Sequence, residues 1–204
     1  MSEYWNHNTA YHPWIIRAVE ERGHRDVLDV GCGDGLLLQR LAPRVGTVTG
    51  LEPDAPTRAR AGARLATTPN ATLDARGFDD FAAEAGSFDA IAFVATLHHM
   101  PLRASLGKAR DLLRPGGDLL VVGLSRDRTL GDLAFAAITL PAARLGSFAH
   151  GEAKHVGVPV ALPRESLTEI RATSDEVLPG SRIRRGLYFR YLLRWTKPAA
   201  MSRS

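Results

Sequence analysis

The chain has 204 residues, 45% of them hydrophobic, with one cysteine and a formal net charge of +4. That length suits one well-filled domain, and the apolar content calls for a folded core and excludes a disordered chain. The lone cysteine, Cys32, excludes an intrachain disulfide and a cysteine-based zinc cluster. No apolar run is long enough to span a bilayer, and MSEYWNHNTAYHPW lacks the basic start and apolar core of a signal peptide. A cytoplasmic protein without membrane contact is expected.

Residues 13–22, PWIIRAVEER, are expected to be helical. Pro13 suits a first helical position, Gly23 suits a stop, and Ile15, Ile16 and Val19 share a face. RDVLDVG then reads as a buried strand, followed by a glycine-rich loop and a short helix over 36–44. TVTGLE (47–52) is a second strand, and Asp54 can cap a helix that carries Pro56 early. ATLDA (71–75) and SFDAIAFV (87–94) read as the third and fourth strands. Pro101 opens a helix to Leu113, RPGG (114–117) turns the chain, and DLLVVGL (118–124) is a fifth strand. Apolar strands alternating with helices imply an α/β fold, its parallel sheet covered on both faces. A helix is expected over 130–145, then a stretch of little periodicity to 162, then a helix from Pro163 to Val177. SRIRRGLYFRYLLRWTKP (181–198) reads as two antiparallel strands around a turn at Gly186, with a frayed tail after Pro198.

The basic excess falls late, at Arg182, Arg184, Arg185, Arg190 and Arg194. A nucleic-acid footprint has this look, and so do solvated surface arginines. The aromatic-basic motif of an RNA-binding module does not accompany them, which favours the second reading.

The loop after the first strand, GCGDG, carries glycines at 31, 33 and 35. In open α/β sheets ligands sit beyond the carboxyl ends of the strands. Gly31 and Gly33 carry no Cβ to obstruct a nucleoside or an amino acid, and Gly35 lets the next helix start close to the sheet. Glu52 ends the second strand, where its carboxylate can accept from both ribose hydroxyls. A nicotinamide dinucleotide is the rival ligand. Its fingerprint G-x-G-x-x-G/A fails at Leu36, and Asp29 would repel a pyrophosphate. A carboxylate there suits an ammonium group, so the ligand reads as a cationic amino acid joined to a nucleoside.

VLDVGCGDG with GLEPD, SFDAIAFVATLHHM and LLRPGGDLLVVGL resembles the class I S-adenosylmethionine (SAM)-dependent methyltransferases, most of all the small bacterial members. The resemblance runs from about residue 10 to residue 198. It implies a Rossmann-like, doubly wound sheet of seven strands, mostly parallel, ending in the antiparallel hairpin. It implies one domain over 1–204, with residues 1–24 as lid and helix and 125–162 as an acceptor-side insertion. The activity implied is methyl transfer from SAM to a small-molecule acceptor, with S-adenosylhomocysteine (SAH) as product, by a monomer or homodimer. Nucleic-acid methylation, or silent SAM binding, is the alternative.

By the same resemblance Asp29, Gly31, Cys32 and Gly33 would hold the methionine end, and Leu36 is counted among the cofactor-binding residues. Glu52 would bind the ribose, with Pro53 and Asp54 beside the adenosine. In RGFDDF, Gly77 occupies the slot where the family carries an acidic residue, Phe78 the apolar slot, and Asp79 follows. Ala95, Thr96 and Leu97 would line the methionine side. Tyr4, Trp5, Tyr11, His12 and Trp14 form an aromatic cluster that reads as a lid or as packing, with Tyr11 the cofactor contact. His98 and His99 lie at the rim after the fourth strand, where either could serve as a base, His99 ahead, or simply pack. Adjacent histidines without a third ligand do not make a metal site. Cys32, between two glycines, reads as a small packed residue.

Overall fold

Strands with apolar residues on both sides set the architecture. The computed structural model describes residues 4–126, 163–187 and 190–199. In chain order these form a 3-10 turn at Thr9–Tyr11, α1 (His12–Glu21), β1 (Asp26–Val30), α2 (Leu36–Leu41), β2 (Thr47–Leu51) and α3 (Ala55–Leu65). Then come β3 (Ala71–Asp74), β4 (Phe88–Val94), α4 (Leu102–Leu112), β5 (Leu113–Leu124), α5 (Leu167–Val177), β6 (Arg182–Arg185) and β7 (Arg190–Thr196). The seven-stranded sheet has the order β3-β2-β1-β4-β5-β7-β6. It is parallel from β3 to β5, and β7 runs antiparallel to both β5 and β6. The strand order reverses between β1 and β4, which opens a crevice at their carboxyl ends.

One face of the sheet presents Leu28, Ile91, Phe93, Leu119 and Val121 to Leu106 and Ala109 of α4 and Ile170 of α5. The other presents Val27, Ala90, Ala92, Leu120 and Val122 to Ile15 and Val19 of α1, Leu38 and Leu41 of α2 and Leu65 of α3. Burial on both faces is why these strands read as continuous apolar runs. Asp54 caps α3, its side chain accepting from Thr57 N–H. Ser166 and Glu169 form a reciprocal capping box that starts α5 at Leu167, four residues after the expected Pro163.

The expected turn at RPGG is corrected. β5 begins at Leu113, and these four residues form an irregular strand start. Leu113 pairs with Phe88 while Asp118 pairs with Ala90, so the residues between bulge outward. Gly116, at φ +83°, and Gly117 allow the excursion, and Gly116 N–H and Gly117 C=O are both bonded to Lys197. The helix expected over 130–145, most of the aperiodic stretch, Phe189 and the tail beyond 199 lie outside the described residues.

The amino ends of the strands are joined by ion pairs. Arg114 bridges Asp26 and Asp89 at 2.7 and 2.8 Å. Asp118, fully buried, receives Arg194 at 2.9 Å, His24 at 3.2 Å and the Thr196 hydroxyl at 2.5 Å. No helix among the described residues is long and apolar enough to cross a membrane.

Candidate active site

At the carboxyl ends the backbone is unusual. Gly31, Gly33 and Gly35 all have left-handed φ, at +70°, +58° and +79°. The N–H groups of Gly31 and Cys32 both donate to the carbonyl of Leu51, at 2.9 and 3.0 Å, folding the loop over the end of β2. A Cβ on Gly31 would run into the Thr96 methyl, whereas Gly33 faces open space. Thr96 is held by its hydroxyl, which donates to Val30 C=O at 2.8 Å. Ala95 beside it carries φ +56°, a strained conformation for a residue with a Cβ.

Two carboxylates converge beneath this loop. Glu52 is 8% exposed; its Oε2 accepts from Gly33 N–H at 3.1 Å and its Oε1 from Asp54 N–H at 3.0 Å. Each oxygen keeps lone-pair capacity for a further donor. Asp29 is 2% exposed, and its Oδ1 has no hydrogen-bond partner. Burial, reinforced by the nearby Glu52 charge, pushes the Asp29 carboxyl up to about 7. A buried, unsatisfied acceptor of this kind is destabilising by itself, so it marks a place where a donor is wanted.

The other expected residues divide. Cys32 is buried with its sulfur against Gly50, and burial with the Asp29 and Glu52 charges drives its thiol well above the ordinary range, which makes it an inert packing group. Leu36 is wholly buried, as is Leu97. Pro53 and Asp54 are exposed, Asp54 spending its side chain on the α3 cap. Phe78 lies in the core, edge-on to Phe93 with ring centroids 5.3 Å apart. Gly77 accepts from both Asp80 and Phe81 in a tight turn, with Asp79 exposed on it. His98 is buried and His99 exposed, their rings 4.0 Å apart. Tyr11 donates its hydroxyl to Leu187 C=O at 2.8 Å, at the hairpin turn. His12 is buried beside Arg40, at 3.1 Å, and burial with that charge holds it down to about 3. Among the described residues no cluster of three or more ligating side chains could hold a metal ion.

Sequence reasoning overlooked a buried constellation on the same loop. Asp34 accepts from Arg64 at 2.7 Å through Oδ2 and from the Tyr4 hydroxyl at 3.0 Å through Oδ1. Arg64 also donates to the Asp34 carbonyl and to Gln39. Asp34 stands inside the glycine loop, which was a readable signal; Arg64, in an arginine-rich helix, offered none. Asp74 and Arg76, paired at 2.6 Å where β3 ends, were missed as well.

At the strand-order reversal the chain carries a left-handed glycine loop with Asp29 and Glu52 beside it, on an α/β sheet of the methyltransferase kind. Comparison with known proteins bears out the fold and the family. A methyltransferase-domain family model matches residues 27–117. Over 199 residues, 97% of this chain and 100% of the relative, the chain is 36% identical to an uncharacterized methyltransferase of Mycobacterium bovis. It is 30% identical over 198 residues to trans-aconitate 2-methyltransferase of Deinococcus radiodurans, covering 90% of this chain and 72% of that one. The N-methyltransferase NodS of Bradyrhizobium japonicum, solved with S-adenosyl-L-homocysteine, shares the fold at a TM-score of 0.64 and 17% identity, over 95% of this chain and 89% of that one. The chain belongs to the class I SAM-dependent methyltransferases.

Proposed function

We propose that this enzyme transfers the methyl group of SAM to a small-molecule acceptor, and that Asp29, Gly31, Gly33 and Glu52 hold the cofactor. The unsatisfied Asp29 oxygen beside two left-handed glycines carries the reading. An ammonium group satisfies that oxygen, neutralises the buried charge and is the part of SAM that a dinucleotide lacks. Glu52, already oriented by two backbone N–H groups, has the remaining lone pairs for a pair of ribose hydroxyls. The backbone of Cys32 joins the cradle while its thiol packs away. At the adenine end the Gly77 turn and Asp79 are the surface groups, with Phe78 supporting them from the core. Ala95 and Thr96 fix the methionine side, with Leu97 buried behind them.

SAM supplies a methyl already activated by its sulfonium. The protein's task is to align the acceptor and exclude water. A base is needed only for an acceptor that keeps its proton at neutral pH; His99, exposed at the rim, is the candidate, with His98 packed behind it. Arg126 N–H donates to Glu165 C=O at 2.9 Å, beside the carboxyl end of β5. That contact supports residues 125–162 as an acceptor-side insertion in a single domain.

A small acceptor is supported by the trans-aconitate methyltransferase relative, which matches most of the chain. Among the hairpin arginines, Arg190 is engaged by Asn8 and Arg194 by Asp118, which weakens a nucleic-acid footprint. Calorimetric titration with SAH, with NAD as control, tests the cofactor. Micromolar SAH binding without NAD binding is expected; the reverse would overturn the reading. Turnover of small carboxylic and phenolic acceptors against RNA then tests the acceptor class.

A further inference from the structure

Helix α3 carries arginines at 58, 60 and 64, and they are used differently. Arg58 donates to the carbonyls of Glu52 and Pro53, and Arg60 to the Thr57 hydroxyl, all close by in the chain. Arg64 is buried, its side chain 1% exposed, and it reaches back to the loop after β1. Its Nε donates to Asp34 C=O at 3.0 Å, its Nη2 to Asp34 Oδ2 at 2.7 Å and its Nη1 to Gln39 Oε1 at 3.1 Å. A planar guanidinium holds its donors in fixed directions, so one side chain serves a carbonyl, a carboxylate and an amide oxygen together. The single nitrogen of a lysine does not span the three.

What this clamp grips is the centre of the glycine loop. Asp34 stands between Gly33 and Gly35, both with left-handed φ. Gly33 N–H donates to Glu52 Oε2, and Gly35 C=O accepts from Gln39 N–H at 2.9 Å. The turn is therefore held on one side by Glu52 at the end of β2. On the other it is held by Arg64, directly at Asp34 and through Gln39 in α2. α3 comes close here, since a Cβ on Gly35 would lie 3.2 Å from Ala61 Cβ and from Leu65 Cδ1. Glycine has the widest backbone freedom, so a turn built from it keeps one shape only where its neighbours fix it. A buried ion pair is also a poor way to close an interface, because apolar side chains of similar volume do as well without the desolvation cost. Packing alone does not account for Arg64.

We propose that Arg64 is a positioning residue for the cofactor: acting through Asp34, it holds the Gly33–Gly35 turn in the shape that receives the methionine end of SAM. This rests on the cofactor reading given above. The guanidinium is sealed from solvent, so it acts through the backbone it grips and not by touching the ligand. A turn already in its binding shape does not have to be ordered when the cofactor arrives. Loss of the clamp should therefore appear as lost affinity in a protein that still folds.

The test uses the full chain and calorimetric titration with SAH of wild type, Arg64→Lys and the double variant Arg64→Met with Asp34→Asn. Arg64→Lys keeps the charge and loses the fork. Its SAH affinity should fall about tenfold, the effect of one hydrogen bond to a charged group. In the free variant the backbone amide NMR signals of Gly33 and Gly35 should broaden, and saturating SAH should sharpen them again. A residue serving stability alone would not produce that pattern. The double variant removes both charges together, so no buried charge is stranded, and it should melt within about 4 °C of wild type. Its SAH affinity should still fall about tenfold, because Asp34 C=O has lost its donor. Wild-type affinity in either variant would overturn the clamp and leave the cofactor reading standing, even if the melting temperature fell. Sharp, unshifted Gly33 and Gly35 signals in free Arg64→Lys would overturn it as well. No SAH binding by wild type would sink both.

Discussion

The two ends of the sheet use the same residue types to opposite effect. At the amino end the carboxylates are answered: buried Asp118 by Arg194, His24 and Thr196, half-buried Asp89 by Arg114 and two backbone N–H groups. At the carboxyl end Asp29 is as deeply buried as Asp118, yet one oxygen has no partner and Glu52 stands nearby. The shifts go in opposite directions. Burial works against the Asp118 charge, but its hydrogen bonds and the Arg194 charge overcome it and hold the carboxyl below the ordinary range. Burial and Glu52 together raise Asp29 to about 7. Backbone geometry adds to the contrast: the one described residue other than glycine with a left-handed φ, Ala95, lies at the carboxyl end, beside Gly31 and Gly33. A stable end and a poised end in one sheet are what a binding scaffold needs, since unsatisfied groups survive only where the remainder over-determines the fold.

Breaking the stable end should have the largest effect. Asp118→Ala strands buried His24 and frees Arg194, and should cost about 3 kcal/mol in denaturant unfolding, towards the low end for a buried pair because Arg194 can turn to water. SAH affinity should not change. Because the folded carboxyl is depressed, its stabilisation is present above the unfolded value of 3.8 and lost as pH falls through the folded one. The wild type should therefore shed more stability in acid than Asp118→Ala does. Equal acid sensitivity would mean that this network is not what holds the amino end.

At the poised end the sign reverses. Asp29 keeps its proton in the folded protein up to about 7 but loses it near 3.8 when unfolded, so its contribution to stability falls as pH rises between those values. That gap bounds the cost at about 4 kcal/mol; allowing for the amide's own unmet hydrogen bonds, Asp29→Asn should gain about 2 kcal/mol at pH 8. The same variant should lose SAH binding. In wild type SAH affinity should rise with pH through about 7, since an ammonium favours the ionised partner. A destabilised Asp29→Asn would show that the carboxyl is satisfied after all.

What could be read from the sequence follows the range of the interactions involved. The parallel strands were legible because each is a local apolar run, and the loop because glycine at 31, 33 and 35 has a local cause in φ. Cys32 was legible as packing for the same reason. RPGG was misread because its geometry depends on Lys197, at the far end of the chain. Phe78 was placed beside the adenine by its slot in RGFDDF; that its ring also meets Phe93, in another strand, was not legible. The N-terminal segment was half legible: its aromatic composition showed, but not that Tyr4 meets Asp34 or that Tyr11 meets Leu187, 176 residues away.

Glu52 tests whether the poised end is a cofactor site. Glu52→Ala should weaken SAH about tenfold to a hundredfold by calorimetry, as expected for losing a charged hydrogen-bond partner. It also removes the charge that helps raise Asp29, so the pH midpoint of SAH binding should move down. An unchanged affinity with a shifted midpoint would leave Glu52 as a neighbour of Asp29 and no more.

The smallest effect separates strain from chemistry. Ala95 at φ +56° costs about 1 kcal/mol relative to glycine. The conformation lets its N–H reach Val122 C=O at 2.7 Å and sets Thr96 against Val30 and Gly31. Ala95→Gly relieves the strain and loosens the unfolded chain, two opposed terms that should leave a net gain of about 0.5 kcal/mol in thermal melts. Its SAH affinity should match wild type, because Thr96 keeps its anchor on Val30. If the variant binds SAH less well while melting higher, the Ala95 methyl itself belongs to the cofactor surface, and strain at this rim is a by-product of shape.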